Sequence, residues 1–87
     1  MSALRKSQYC MEAVLKYLEN ESNRRRYPDG AILGVYRNRK KDNAPVITII
    51  PFPSEQEAND YLATVVPDAL RAGSVVIPIN NKYALML

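Results

Sequence analysis

The chain has 87 residues, a net charge of +3, one cysteine and no histidine. That is enough for one domain and no second core. An intramolecular disulfide is excluded, and a zinc site would lack its usual ligands. No apolar run reaches signal-peptide or membrane-span length, so a cytoplasmic protein with no membrane partner is expected, and lone Cys10 suits a reducing compartment.

Taken in order, the chain opens with a helix expected over residues 3–22, capped by Ser2. Leu4, Met11, Val14, Leu15 and Leu18 recur at helical spacing and form one apolar face, with Cys10 beside it as a small buried residue. Arg24, Arg25 and Arg26 suit the negative end of this helix. Pro28-Asp29-Gly30 is a turn signature, since proline presets φ and glycine tolerates unusual backbone angles. Two β-prone runs follow, residues 31–38 and 46–52, around a basic turn-forming tip at residues 39–45. This is a hairpin signal. The second run is apolar on both faces, which points to a central, well-covered strand, with Ile49 expected in the core beside Leu15. Gly34 marks a bulge or a close approach by a helix.

Ser54-Glu55-Gln56-Glu57 is a capping box that opens a second amphipathic helix. Pro67 breaks it, with a short helical continuation through Arg71. Residues 74–79 read as a buried strand whose Pro78 argues for an edge or a bulge. Asn80-Asn81 is a turn signal, and residues 82–87 are expected to form a last strand with Tyr83 and Leu85 on one face. The order is α-β-β-α-(α)-β-β. It predicts a small α+β two-layer sandwich, mainly antiparallel, with the helices on one face of the sheet.

The chain carries little that points to catalysis. Histidine, the usual neutral-pH acid–base, is absent. The three glycines, Gly30, Gly34 and Gly73, are too scattered for a phosphate loop. No cofactor, metal ligand set or enzymatic activity is expected. Pro28-Asp29 is a plain turn, because no acidic-x-Lys triplet follows to complete a nuclease motif.

Charge distribution is more informative. Residues 24–41 carry Arg24, Arg25, Arg26, Arg37, Arg39, Lys40 and Lys41 against Asp29 alone; residues 42–70 carry five acidic side chains and no cation. Gathered on one surface, those cations, with Tyr27 and Tyr36 beside them, would capture an anionic partner. The leading expectation is a non-catalytic binding or regulatory protein that occupies an acidic protein surface. In size it is like the small inhibitors and accessory proteins that phages and mobile elements encode. The alternative is nucleic-acid binding through the same patch, phosphates on the cations and bases on the tyrosines. A third reading is a homodimer joined along residues 82–87.

Overall fold

The computed structural model describes residues 5–80. Ser2, Leu4, the second half of the Asn80-Asn81 turn and the strand expected over residues 82–87 lie outside them. The elements are α1 (Lys6–Leu18), α2 (Glu21–Arg26), β1 (Ala31–Asn38), β2 (Pro45–Phe52), α3 (Glu55–Thr64), α4 (Asp68–Arg71) and β3 (Val75–Pro78). They form an α+β fold around a three-stranded antiparallel sheet of order β2-β1-β3.

The first helix is shorter than its periodicity suggests. It begins where the Gln8 side chain accepts the Arg5 backbone N–H at 2.7 Å, and it stops before Asn20. Asn20 caps the separate helix α2, its side chain accepting the Ser22 N–H at 3.0 Å. Asparagine competes with the helical ladder in this way, so it starts helices better than it continues them. The buried face of α1 is Cys10, Val14 and Leu18, an i, i+4, i+8 line. Leu15 is only half-buried, and Met11 remains 39% exposed. The stripe is thus rotated from the expected one, because Cys10 rather than Met11 faces the sheet.

β1 is the central strand, a place the sequence pattern assigned to β2. Ala31, Ile32, Leu33, Gly34 and Val35 are all buried, whereas β2, including Ile49, is half-buried or exposed throughout. Both strands are apolar on both faces. Among the described residues only β1 has a strand on each side, because the crossover through α3 and α4 returns the chain to the far edge of β1. β3 is the opposite edge among the described residues, consistent with Pro78.

Alternating side chains of β1 feed two separate cores. Ile32 packs with Val14 and Leu18 of α1 and with Ile77 and Ile79. Leu33 and Val35 pack with Val66, with Tyr61 and Leu62 of α3 and with Leu70 of α4. The helices therefore cover both faces of the sheet rather than one. A strand apolar on both sides requires this, since a single helical layer would leave one apolar face in water.

Ladder parity follows from two bonds flanking β1. Arg39 N–H donates to Ala44 O, and Ile79 N–H donates to Gly30 O, each at 2.9 Å. Counting in twos along the register, Ala31, Leu33, Val35 and Arg37 direct their backbone groups at β2, and Ile32 and Gly34 direct theirs at β3. Pro45, Pro51 and Pro78 all fall opposite residues of β1 whose backbone points elsewhere. Their missing N–H groups cost the sheet no bond.

Gly34 is where α1 touches β1. A Cβ there would lie 2.9 Å from Val14 Cγ2 and 3.4 Å from Cys10 Cβ. Gly34→Ala is expected to destabilise the fold by about 1–3 kcal/mol through overpacking, and combining it with Val14→Ala should cost less than the sum of the two single changes. Urea unfolding of the three variants measures this, and strict additivity would mean that helix and strand are not in contact at this point.

Candidate functional site

The two basic segments are built by different local devices and end up at opposite ends of the sheet. α2 folds back onto the end of α1. Asn23 Nδ2 donates to Tyr17 O at 2.7 Å, and Arg24 donates to Leu18 O and, at 3.2 Å, to Glu19 O. These are carbonyls that the last turn of a helix leaves unpaired. Arg25 pairs with Glu21 at 2.7 Å, and Arg26 lies over the Tyr27 ring at 5.4 Å. Tyr27 itself is half-buried against the α1 core, its carbonyl accepting the Gly30 N–H at 2.9 Å.

The other segment is the hairpin tip. Asn43 takes a left-handed backbone, φ 59°, which asparagine tolerates better than most residues. Arg39 Nε and Nη2 donate to Asp42 Oδ1 and Oδ2 at 2.9 and 2.7 Å, and Ala44 N–H donates to Asp42 Oδ1 at 3.2 Å. Asn38 Nδ2 donates to Asn43 Oδ1 at 2.7 Å. Arg39 thus serves the turn. Lys40 and Lys41 are exposed, and no carboxylate among the described residues pairs with Lys40, Lys41 or Arg37.

Convergence of Arg24, Arg25 and Arg26 with the tip does not occur. The connection between α1 and β1 folds back on itself through α2, so the end of the helix lies at the start of the strand and Leu18 packs beside Ile32. The other end of α1 lies along the far part of β1, where Tyr9 meets Tyr36 at 5.8 Å between ring centroids and Lys6 Nζ sits 5.8 Å from the Tyr36 ring. About six residues of strand separate Ile32 from Asn38, or roughly 20 Å. Tyr36 points to the α1 face, opposite Arg37. Neither Tyr27 nor Tyr36 presents a free ring beside the tip.

What the fold does place beside the tip is an apolar groove of about 180 Å³ on the α3–α4 face. Its floor is Val35, Thr48 and Ile50 of the sheet; its wall is Tyr61, Val65, Val66, Pro67 and Leu70; Arg37 lies at its rim. The groove exists because α3 stops short. Ser54 starts this helix by accepting the Glu57 N–H at 3.2 Å, and Pro67 prevents its continuation. Arg71 then ties the end down, donating to Leu62 O at 3.1 Å, Ala63 O at 2.6 Å and Val66 O at 3.0 Å. Val66 turns inward, while adjacent Val65 is left 57% exposed. This site is not among those expected from the sequence; the signal that could have located it is the pair Val65-Val66 ahead of the helix-breaking Pro67, which leaves one of the two valines uncovered.

Arg37 follows Val35 on the same face of β1 and is exposed. Asp42 pairs with Arg39 and Asp68 with Arg71 at 2.6 Å; Glu55, Glu57 and Asp60 of α3 form no ion pair among the described residues, with Arg37 or any other cation. The groove is therefore an apolar trough with an uncompensated cation at one end. It can take an apolar side chain and an adjoining carboxylate together. Among the described residues no group of His, Cys, Asp and Glu could hold a metal ion, and no helix is long and apolar enough to cross a membrane. Cys10 lies in the α1 core, where burial pushes its thiol pKa up.

Comparison with known proteins returns no matching family, no similar characterised protein and no similar solved structure.

The tip makes a pH-dependent prediction. The Arg39 guanidinium, and then the Ala44 N–H, hold the Asp42 carboxyl below its ordinary value of 3.8. A carboxylate whose pKa is depressed by folding contributes its stabilisation above its unfolded pKa and loses it as the pH falls through the folded one. The Ala44 amide resonance should therefore titrate with a midpoint below 3.8, and Asp42→Asn should abolish that titration. A midpoint at the ordinary value would mean that the pair does not form in solution.

Proposed function

We propose that the protein is a non-catalytic binding protein whose groove and hairpin tip take an acidic segment of a partner protein. The observation that carries this reading is the pairing of an open apolar trough with Arg37, Lys40 and Lys41, none of them matched by a carboxylate among the described residues. An apolar anchor seated between Val65 and Val35 provides the burial energy. A neighbouring Asp or Glu on Arg37 fixes direction, since a guanidinium accepts a carboxylate in two-point geometry. Occupying a partner's acidic segment in this way is sufficient for a regulatory or inhibitory role.

Nucleic-acid binding through residues 24–41 draws less support from the geometry. Its seven cations split between two distant surfaces, and Arg24, Arg25 and Arg39 are committed to the protein's own carbonyls or carboxylates. Both tyrosines are packed rather than offered for stacking.

Two experiments separate these readings. A short peptide with a leucine or phenylalanine flanked by aspartates, titrated into labelled protein, should shift the resonances of Val35, Arg37, Tyr61 and Val65 and leave Arg24, Arg25 and Arg26 unmoved. Arg37→Glu with Lys41→Glu should weaken that binding at least tenfold without changing the melt, as should Val65→Asp. An oligonucleotide that instead shifts both basic segments, with a log–log salt slope steeper than about −3, would replace this reading with the nucleic-acid one.

A further inference from the structure

Among the described residues β2 lies at the edge of the sheet, and the composition of its outer side is unusual for an exposed edge. Natural edges are commonly blunted by charged side chains and by proline; on this edge the prolines, Pro45 and Pro51, stand only towards its two ends. Here Val46-Ile47-Thr48-Ile49-Ile50 is uncharged and β-branched throughout, the composition that pairs best with another strand. By the ladder parity above, Val46, Thr48, Ile50 and Phe52 direct their backbone groups at β1. Pro45, Ile47, Ile49 and Pro51 direct theirs outward. Among the described residues nothing pairs with the outward N–H and C=O groups of Ile47 and Ile49. The two prolines stand three residues before and three residues after Thr48, both on the outward side.

We propose that this edge pairs with the same edge of a second copy of the chain, antiparallel, about a two-fold axis at Thr48. In that register Ile47 stands opposite Ile49 of the second copy. Each donates its N–H to the other's carbonyl, and symmetry repeats the exchange. Every outward N–H of the edge and both isoleucine carbonyls are then satisfied. Pro45 meets Pro51 of the second copy, so two residues with no N–H to offer face each other and end the ladder. A shift of two residues either way would leave an isoleucine carbonyl in each copy unpaired. Side chains agree with this register: Val46 opposes Ile50, Thr48 opposes Thr48, and β-branched cross-strand pairs stabilise sheets.

Charge selects the antiparallel arrangement as well. It sends the two hairpin tips, each with Arg37, Lys40 and Lys41, to opposite ends of the joined sheet; a parallel pairing would set them side by side. A foreign strand could use the same backbone groups. Symmetry about a single residue, however, is what self-pairing requires and what a foreign strand does not need. The product is one continuous sheet, β3-β1-β2-β2-β1-β3, with both grooves on one face and both α1 helices on the other. This interface borders the groove and shares the Thr48 and Ile50 side chains with its floor, but it rests on the backbone groups of Ile47 and Ile49, so its failure would leave the binding reading above intact.

Thr48→Cys tests the register directly. At the centre of the two-fold the paired Cα atoms would be about 4.5 Å apart, within the range a disulfide spans. Full-length Thr48→Cys is expected to form a covalent dimer under mild oxidation. Val46→Cys is the control, because its two copies would be roughly 14 Å apart, and buried Cys10 should stay unlinked in both. Ile49→Pro removes one outward N–H and no bond to β1, and should leave a folded monomer by circular dichroism and sedimentation. The proposal is overturned if the wild-type chain sediments as a monomer at millimolar concentration. It is equally overturned by a dimer that survives Ile49→Pro, or that cross-links no better through Thr48→Cys than through Val46→Cys.

Discussion

The structure depends on β1 being enclosed on every side. Its first five residues are buried, with β2 and β3 on its two edges and a helical layer on each face. A strand with no polar face cannot be half-solvated, so the chain must supply two layers from very short helices. α1 approaches one face closely enough to require a glycine at position 34. α3 and α4 cover the other face only in part, and the uncovered part is the groove. The site follows from a shortage of covering material over an apolar sheet.

A second constraint is how such short helices are finished. Neither α1 nor α3 ends on a glycine cap. An arginine from the following segment reaches back to the open carbonyls in each case, Arg24 on α1 and Arg71 on α3. Both arginines then serve folding and contribute little to an outward field. Arg39 does the same for the hairpin turn. Exposed ion pairs of this kind contribute modestly to stability, but they consume charge, and the cations of the hairpin left without an ion pair among the described residues are Arg37, Lys40 and Lys41.

Two surfaces are consequently left unfinished: the groove with its cationic rim and the outer edge of β2. They differ in chemistry. The groove offers side-chain contacts and one direction-setting charge, which suits a heterologous acidic segment. The edge offers backbone groups in a symmetric frame set by two prolines, which suits a copy of itself. They adjoin on β2 and share the Thr48 and Ile50 side chains, but the edge is held through the outward backbone of Ile47 and Ile49, which the groove does not use.

Local chemistry was legible in the amino-acid order alone. The hairpin and its tip, the Ser54 cap, the break at Pro67 with its short continuation, the close approach at Gly34 and the burial of Cys10 all rest on interactions within a few residues or on one residue's size. Contacts between elements were not legible. Periodicity cannot say which of two doubly apolar strands acquires neighbours on both edges, so the pattern alone puts β2 rather than β1 at the centre and gives one helical layer where the fold has two. Nor can a run of cations say where its members point: the fold-back of α2 onto the end of α1 sent Arg24, Arg25 and Arg26 to the base of the sheet and left the tip alone with Arg37. Composition determined that this chain would carry excess positive charge near its middle. Only the path of the backbone in space decided which of those charges would be spent internally and which would border an open groove, because pairing and burial depend on distances that sequence separation does not encode.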